Sequence, residues 1–190
     1  MPHFRELENR NEITAGYEEW VQGFWNEGWS PFFANFMFRH ISHRREEVML
    51  DEVDRVYRTL VRHDVRDPQS IAQQQWLVRF IGCPDTPIYK RDRTSLRDAT
   101  VNQGLHFNGI FLLSPKTRIK DGLVKHFKEN DRFYTGQGRA LARIFCEPVI
   151  YGNMTDYVLK AYKNARLDGA TILILPRSRS EMGFGSEFAQ

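Results

Sequence analysis

The chain predicts an α+β domain: a small antiparallel sheet of the split-βαβ kind, with helices packed mainly on one face and an aromatic extension in front. Three observations predict it. Apolar spacing alternates between strand and helix periods in the order β-α-β-β-α-β-α, with room for a final strand. The 190 residues suffice for one core. Hydrophobic residues make up 41% and charged ones 27%, a globular balance that argues against long disorder.

Residues 1–29 hold three of the four tryptophans and read as a hydrophobic cover over part of the core. "PFFANFMFRHI" (31–41), aromatic and bounded by Ser30-Pro31, is the first strand. Met49, Val53, Val56 and Leu60 then recur at steps of four, three and four. They give a helix with one buried stripe that ends near Asp67-Pro68. "QQQWLVRFIGCP" (73–84) predicts a second strand, stopped by Gly82 and Pro84. Residues 85–103, polar and rich in Arg and Asp, read as a long loop, with room for a hairpin through "PIYKRDR".

"GLHFNGIFLLSP" (104–115) is a strand again. Its two alternating faces are both largely apolar, which places it in the middle of the sheet. Ile119, Leu123 and Phe127, four apart, mark a short amphipathic helix. "GRALARIFCEPVIY" is a strand closed by a turn at Gly152-Asn153. "MTDYVLKAYKNARLDG" is a helix starting near Thr155 or Asp156 and ending near Gly169, and "ATILILP" is one more strand. The chain thus divides into an extension (1–29), a main domain (30–175) and a tail (176–190).

Charge is unevenly spread. Residues 1–29 carry a net −4, whereas Ser114 to Arg179 carry +7. Twenty of the 27 basic residues are arginine, the side chain suited to forked phosphate contacts, so the bias reads either as a face that meets a nucleic-acid backbone or as an ordinary solvated surface. Cys83 and Cys146 lack metal-site spacing and read as reduced thiols of a cytoplasmic protein. There is no bilayer-length apolar run and no signal-peptide core, so no membrane partner is expected.

Two constellations carry candidate chemistry. His106 and Asn108, at i and i+2, point to one face of the central strand, where imidazole and carboxamide can share a divalent ion. Asp98 is a candidate third ligand if the chain doubles back beside them; the alternative is a hydrogen-bonded core histidine. Tyr157 and Lys160, at i and i+3, share a helix face, so a cation lies beside a phenol that could act as nucleophile. Tyr162 lies about 140° further round and is not expected to act with Tyr157. The alternative here is an ordinary tyrosine beside a surface lysine.

In combination these segments resemble the HUH endonuclease superfamily, and within it the single-tyrosine rolling-circle replication initiators (Rep proteins). "FFANFMF" (32–38) is similar to the family's apolar first motif. "HFNGIFL" is similar to its His-hydrophobic-His motif, with Asn108 standing for the second histidine. "DYVLKAYK" is similar to its Tyr-Lys motif. The tyrosine follows the histidine strand, the order of Reps rather than relaxases.

The resemblance implies a ferredoxin-like sheet and a nicking-joining endonuclease using Mg²⁺ or Mn²⁺ and no small-molecule cofactor. His106, Asn108 and Asp98 would hold the ion. Tyr157 would attack the phosphodiester and leave a 5′-phosphotyrosyl link, and Lys160 would neutralise the phosphate. Arg91, Arg93, Arg97 and Lys163 would contact single-stranded or hairpin DNA. Replication of a plasmid, phage or mobile element would then call on a host helicase. Two other readings compete. One is a non-enzymatic nucleic-acid-binding module on the same sheet, favoured by Asn108. The other is a primase-like nucleotidyl transferase, disfavoured because no strand carries paired acids.

Overall fold

The structure, a computed structural model, describes residues 2–85, 106–150, 154–163 and 171–177. Five strands form one sheet: β1 (Ser30–Phe38), β2 (Arg79–Asp85), β3 (His106–Leu113), β4 (Leu141–Pro148) and β5 (Leu173–Leu175). Their spatial order is β4-β1-β3-β2-β5, and every neighbouring pair is antiparallel. The helices are α1 (Pro2–Asn26), α2 (Arg45–Asp64), α3 (Ile71–Gln74), α4 (Gly122–Glu129), α5 (Asp131–Tyr134), α6 (Met154–Val158) and α7 (Lys160–Lys163).

The middle strand decides the layering. Every β3 residue after His106 is buried, so both faces of the sheet need cover. On the first face Phe107, Phe111 and Leu113 meet Phe36, Phe80 and the buried stripe of α2, with Leu123 and Phe127 of α4 and Tyr134 of α5. On the second face Ile110 and Leu112 meet Phe33, Ile81 and Cys83 beneath Val158, Leu159 and Ala161, with Val21, Trp20, Phe24 and Trp25 of α1 packed over them. The expectation of helices mainly on one face is therefore corrected. A central strand apolar on both sides, as this sequence specifies, cannot leave one side to water.

The first face is built of aromatic rings and the space left for them. Phe80 and Phe111 centroids lie 4.6 Å apart, and Phe36 meets Phe80, Phe107 and Phe111 edge-on. Gly82 and Gly109, cross-strand partners, supply the room: a Cβ on Gly109 would sit 2.3 Å from the Phe80 ring. At the C-terminus of α2 the buried Asp64 carboxylate accepts from the Val78 amide and the Thr117 hydroxyl. It thereby ties α2 to the start of β2 and to the loop after β3.

The N-terminal segment is a helix of 25 residues. It ends in a Schellman motif: Trp29 N–H donates to Phe24 C=O and Gly28 N–H to Trp25 C=O, both 3.0 Å, with Gly28 at φ +87°. The Phe24 and Trp29 rings, 4.8 Å apart, close the accompanying apolar contact. At its other half Arg10 donates to the Tyr162 carbonyl at 3.0 Å and lies over the Tyr162 ring, fastening α1 to α7.

Boundaries differ from expectation, and β2 runs through Gly82 and Pro84, the residues expected to stop it, as far as Asp85. β2 begins at Arg79 rather than within the glutamine run, because residues 71–75 stay largely open to water and turn as α3. The tyrosine-bearing helix is interrupted at Leu159, although i→i−4 bonds run across the break from Leu159 N–H to Thr155 C=O and Lys163 N–H to Leu159 C=O. No helix among the described residues is long and apolar enough to cross a membrane.

Candidate active site

The site begins with cross-strand register. Antiparallel pairing sets Asp85 of β2 beside His106 of β3, and Met37 of β1 on its other side. One step along the same face, Asn108 stands between Cys83 and Asn35; one further, Ile110 stands between Ile81 and Phe33. A polar end of the second face therefore grades into an apolar end that the helices cover.

At the polar end the groups converge on one carboxylate oxygen. Asp85 Oδ2 lies 3.5 Å from His106 Nε2 and accepts from Asn108 Nδ2 at 3.3 Å. Asn108 Oδ1 in turn accepts from Asn35 Nδ2 at 2.7 Å. Asn108 is fully buried and Asp85 nearly so, while the His106 side chain is 26% exposed and is the group that water reaches. The buried side chains of this cluster are hydrogen-bonded to one another, as a low-dielectric site demands.

The donor set suits a hard divalent ion. Carboxylate oxygen, imidazole nitrogen and carboxamide oxygen are the ligand types Mg²⁺ and Mn²⁺ accept. Among the described residues no three His, Cys, Asp or Glu side chains gather, so coordination by Asp85 and His106 needs the Asn108 amide as well. Asn108 presents its NH₂ to Asp85 here. Turning the Asn108 and Asn35 amides together keeps their mutual hydrogen bond and directs Asn108 Oδ1 to Asp85 and His106 instead.

The tyrosine helix lies on the same face. The Tyr157 ring meets Phe33 edge-on, with centroids 5.8 Å apart, and Phe33 is the β1 partner of Ile110. The Cys83 thiol, beside Asn108, donates to the Val158 carbonyl at 3.2 Å and seats the helix on the sheet. Burial pushes that thiol up to about 12, so it is a neutral donor rather than a nucleophile. Tyr157 is 48% exposed, whereas Tyr162 is buried under Arg10. Lys160 follows one turn after Tyr157 and is half-buried.

Of the residues singled out from sequence, His106, Asn108, Tyr157 and Lys160 stand on one side of the sheet. Lys163 is there too, in an ion pair with Asp156. Asp98, Arg91, Arg93 and Arg97 lie outside the described residues. The carboxylate brought to the histidine is Asp85, which sequence reasoning passed over, as it did Asn35. Both had a signal: Asn35 is the one polar side chain in "FFANFMF", and Asp85 closes the strand that precedes the histidine strand.

Comparison with protein-family models, with curated proteins and with solved structures finds no match for this chain.

Proposed function

We propose that this chain is a replication-initiator-like endonuclease that nicks and rejoins single-stranded DNA through a 5′-phosphotyrosine intermediate, in rolling-circle replication of a plasmid, phage or mobile element. One observation carries the reading. A solvent-open phenol, Tyr157, shares a sheet face with the Asp85–His106–Asn108 cluster, and Cys83 ties the two parts together. The strand order β4-β1-β3-β2 and its split βαβ connections support a ferredoxin-like, HUH-type interpretation of the sheet.

In this reading Tyr157 Oη attacks the scissile phosphorus. A bond forms from the phenol oxygen to phosphorus and the bond to the 3′ oxygen breaks. The phenol gives up its proton and the departing 3′ oxygen takes one, leaving a 5′-phosphotyrosyl link and a free 3′-hydroxyl. Attack by a 3′-hydroxyl reverses the step and rejoins the strand. Lys160, one helical turn after Tyr157, holds a phosphate oxygen. Asp85, His106 and Asn108 would hold Mg²⁺ or Mn²⁺, and a divalent ion bound there supplies Lewis-acid polarisation of the phosphate.

The test uses a labelled single-stranded oligonucleotide with Mn²⁺ and a denaturing gel. The wild-type chain gives a covalent protein–DNA adduct and Tyr157→Phe gives none; an adduct that persists in Tyr157→Phe removes the assigned nucleophile. Retention of DNA without cleavage in Mn²⁺, Mg²⁺ and Co²⁺ favours the second reading, a non-enzymatic binding module. The Asn108 amide nitrogen turned toward Asp85 is the observation on that side.

A further inference from the structure

The second face of the sheet carries more than the cluster. Along β4, register places Arg143 beside Met37, Phe145 beside Asn35 and Glu147 beside Phe33. Ile144 and Cys146 pack into the opposite core, so the alternation of β4 directs the Phe145 ring to the face that bears the cluster. There it is 44% exposed, and Met37 on the adjoining strand is 48% exposed. The helical cover accounts for this. Phe33, four residues earlier on β1, is buried beneath α6, and Met37 lies past the covered end.

A flat ring, a thioether and a cation thus stand together in the open. Arg143 is exposed and makes no ion pair among the described residues. This chemistry fits a planar heteroaromatic group that carries a phosphate: the ring stacks, the polarizable sulfur packs against its edge, and the guanidinium meets the phosphate. On this face Arg143 sets a cation beside the exposed ring, and part of the +7 charge from Ser114 to Arg179 lies on β4 and the helix after it, which favours a polyanion over a second copy of the chain. We infer that Phe145, with Met37 and Arg143, forms a nucleobase-stacking subsite for single-stranded DNA, lying across β1 from the Asp85–His106–Asn108 cluster. The inference rests on the nuclease reading for the kind of strand bound, and it adds the residues that grip a base outside the reacting centre.

The experiment measures fluorescence anisotropy of labelled oligo-dT and of an abasic strand of equal length, in EDTA so that no cleavage intervenes. The wild-type chain binds oligo-dT more tightly than the abasic strand. Phe145→Ala weakens oligo-dT binding by about ten- to hundredfold and leaves abasic binding unchanged, while Phe145→Trp restores the preference for bases. Equal oligo-dT affinity in Phe145→Ala and wild type overturns the subsite. So does an equal loss for both strands, or a change in sedimentation with DNA affinity untouched. Phe145-dependent binding without adduct formation in Mn²⁺ sinks the nuclease reading alone. Adduct formation and oligo-dT binding that are both indifferent to Phe145 sink the subsite alone.

Discussion

Asn35 and Asn108, on neighbouring strands and 73 residues apart, are joined by a 2.7 Å hydrogen bond from amide to carbonyl oxygen. That bond couples the orientation of the Asn108 amide, and so the end it turns to Asp85, to that of Asn35. Replacing Asn35 with alanine strands a buried carbonyl oxygen, which costs about 1–3 kcal/mol. The expected outcome is a lower urea midpoint with an unchanged m value, together with weaker Mn²⁺ binding, because the amide loses the partner that orients it.

Asp85 is the carboxylate of the cluster, so Asp85→Asn is expected to reduce Mn²⁺ affinity by at least tenfold, as judged by titration calorimetry. The circular-dichroism spectrum should not change, since Asn can still occupy the contact with Asn108. Unaltered Mn²⁺ affinity in this variant would remove Asp85 from the ligand set.

The two aromatic residues of the tyrosine helix have opposite prospects. Tyr162→Phe removes a hydroxyl from a ring held under Arg10, and it is expected to leave adduct formation within about twofold of wild type, because the nucleophile assigned is Tyr157. Abolition of the adduct by Tyr162→Phe, with Tyr157→Phe active, would reverse the assignment.

Gly109 has no space for a side chain: its Cβ would lie 2.3 Å from Phe80 and 3.2 Å from the Ile81 carbonyl. Gly109→Ala is expected to destabilise the domain by about 1–3 kcal/mol or more, read from chemical denaturation. Pairing it with Phe80→Leu should recover part of the loss, as the clash is with the ring.

His126 sits in the first-face core, bonded to the Tyr134 hydroxyl at 2.7 Å. Burial, with His63 nearby, pushes its imidazole down from 6.5 to about 4. A folded-state value below the unfolded one means the stability is fully present above pH 6.5 and is lost as pH falls toward 4. Between those limits the loss approaches about 1.4 kcal/mol per pH unit. His126→Gln keeps a partner for Tyr134 and is expected to flatten the profile, measured as urea midpoints at pH 7, 5 and 4.

Legibility followed the range of the interaction. Alternation along a strand is local, so the common face of His106 and Asn108 could be read directly from the chain. The four-three-four stripe of α2 was equally plain, and its residues are buried as expected. Asp85 was not legible in the same way. Its place beside His106 depends on how two strands pair across twenty intervening residues, and nearness in sequence pointed to Asp98 instead. The helical state of residues 2–26 was hidden too, because Gly16 and Gly23 interrupt the pattern and contact with α6 and α7 supplies what intrinsic propensity does not.

The double-sided burial of β3 has an evolutionary corollary. Deleting one residue from this strand would transpose its two sides, pressing imidazole and carboxamide among the phenylalanines and turning Phe107 and Phe111 outward. Such a lesion costs the core and the Asp85–His106–Asn108 cluster in one stroke. Lineages that keep this architecture can change the polar side chains of β3 by point substitution, but they cannot drift there by insertion or deletion.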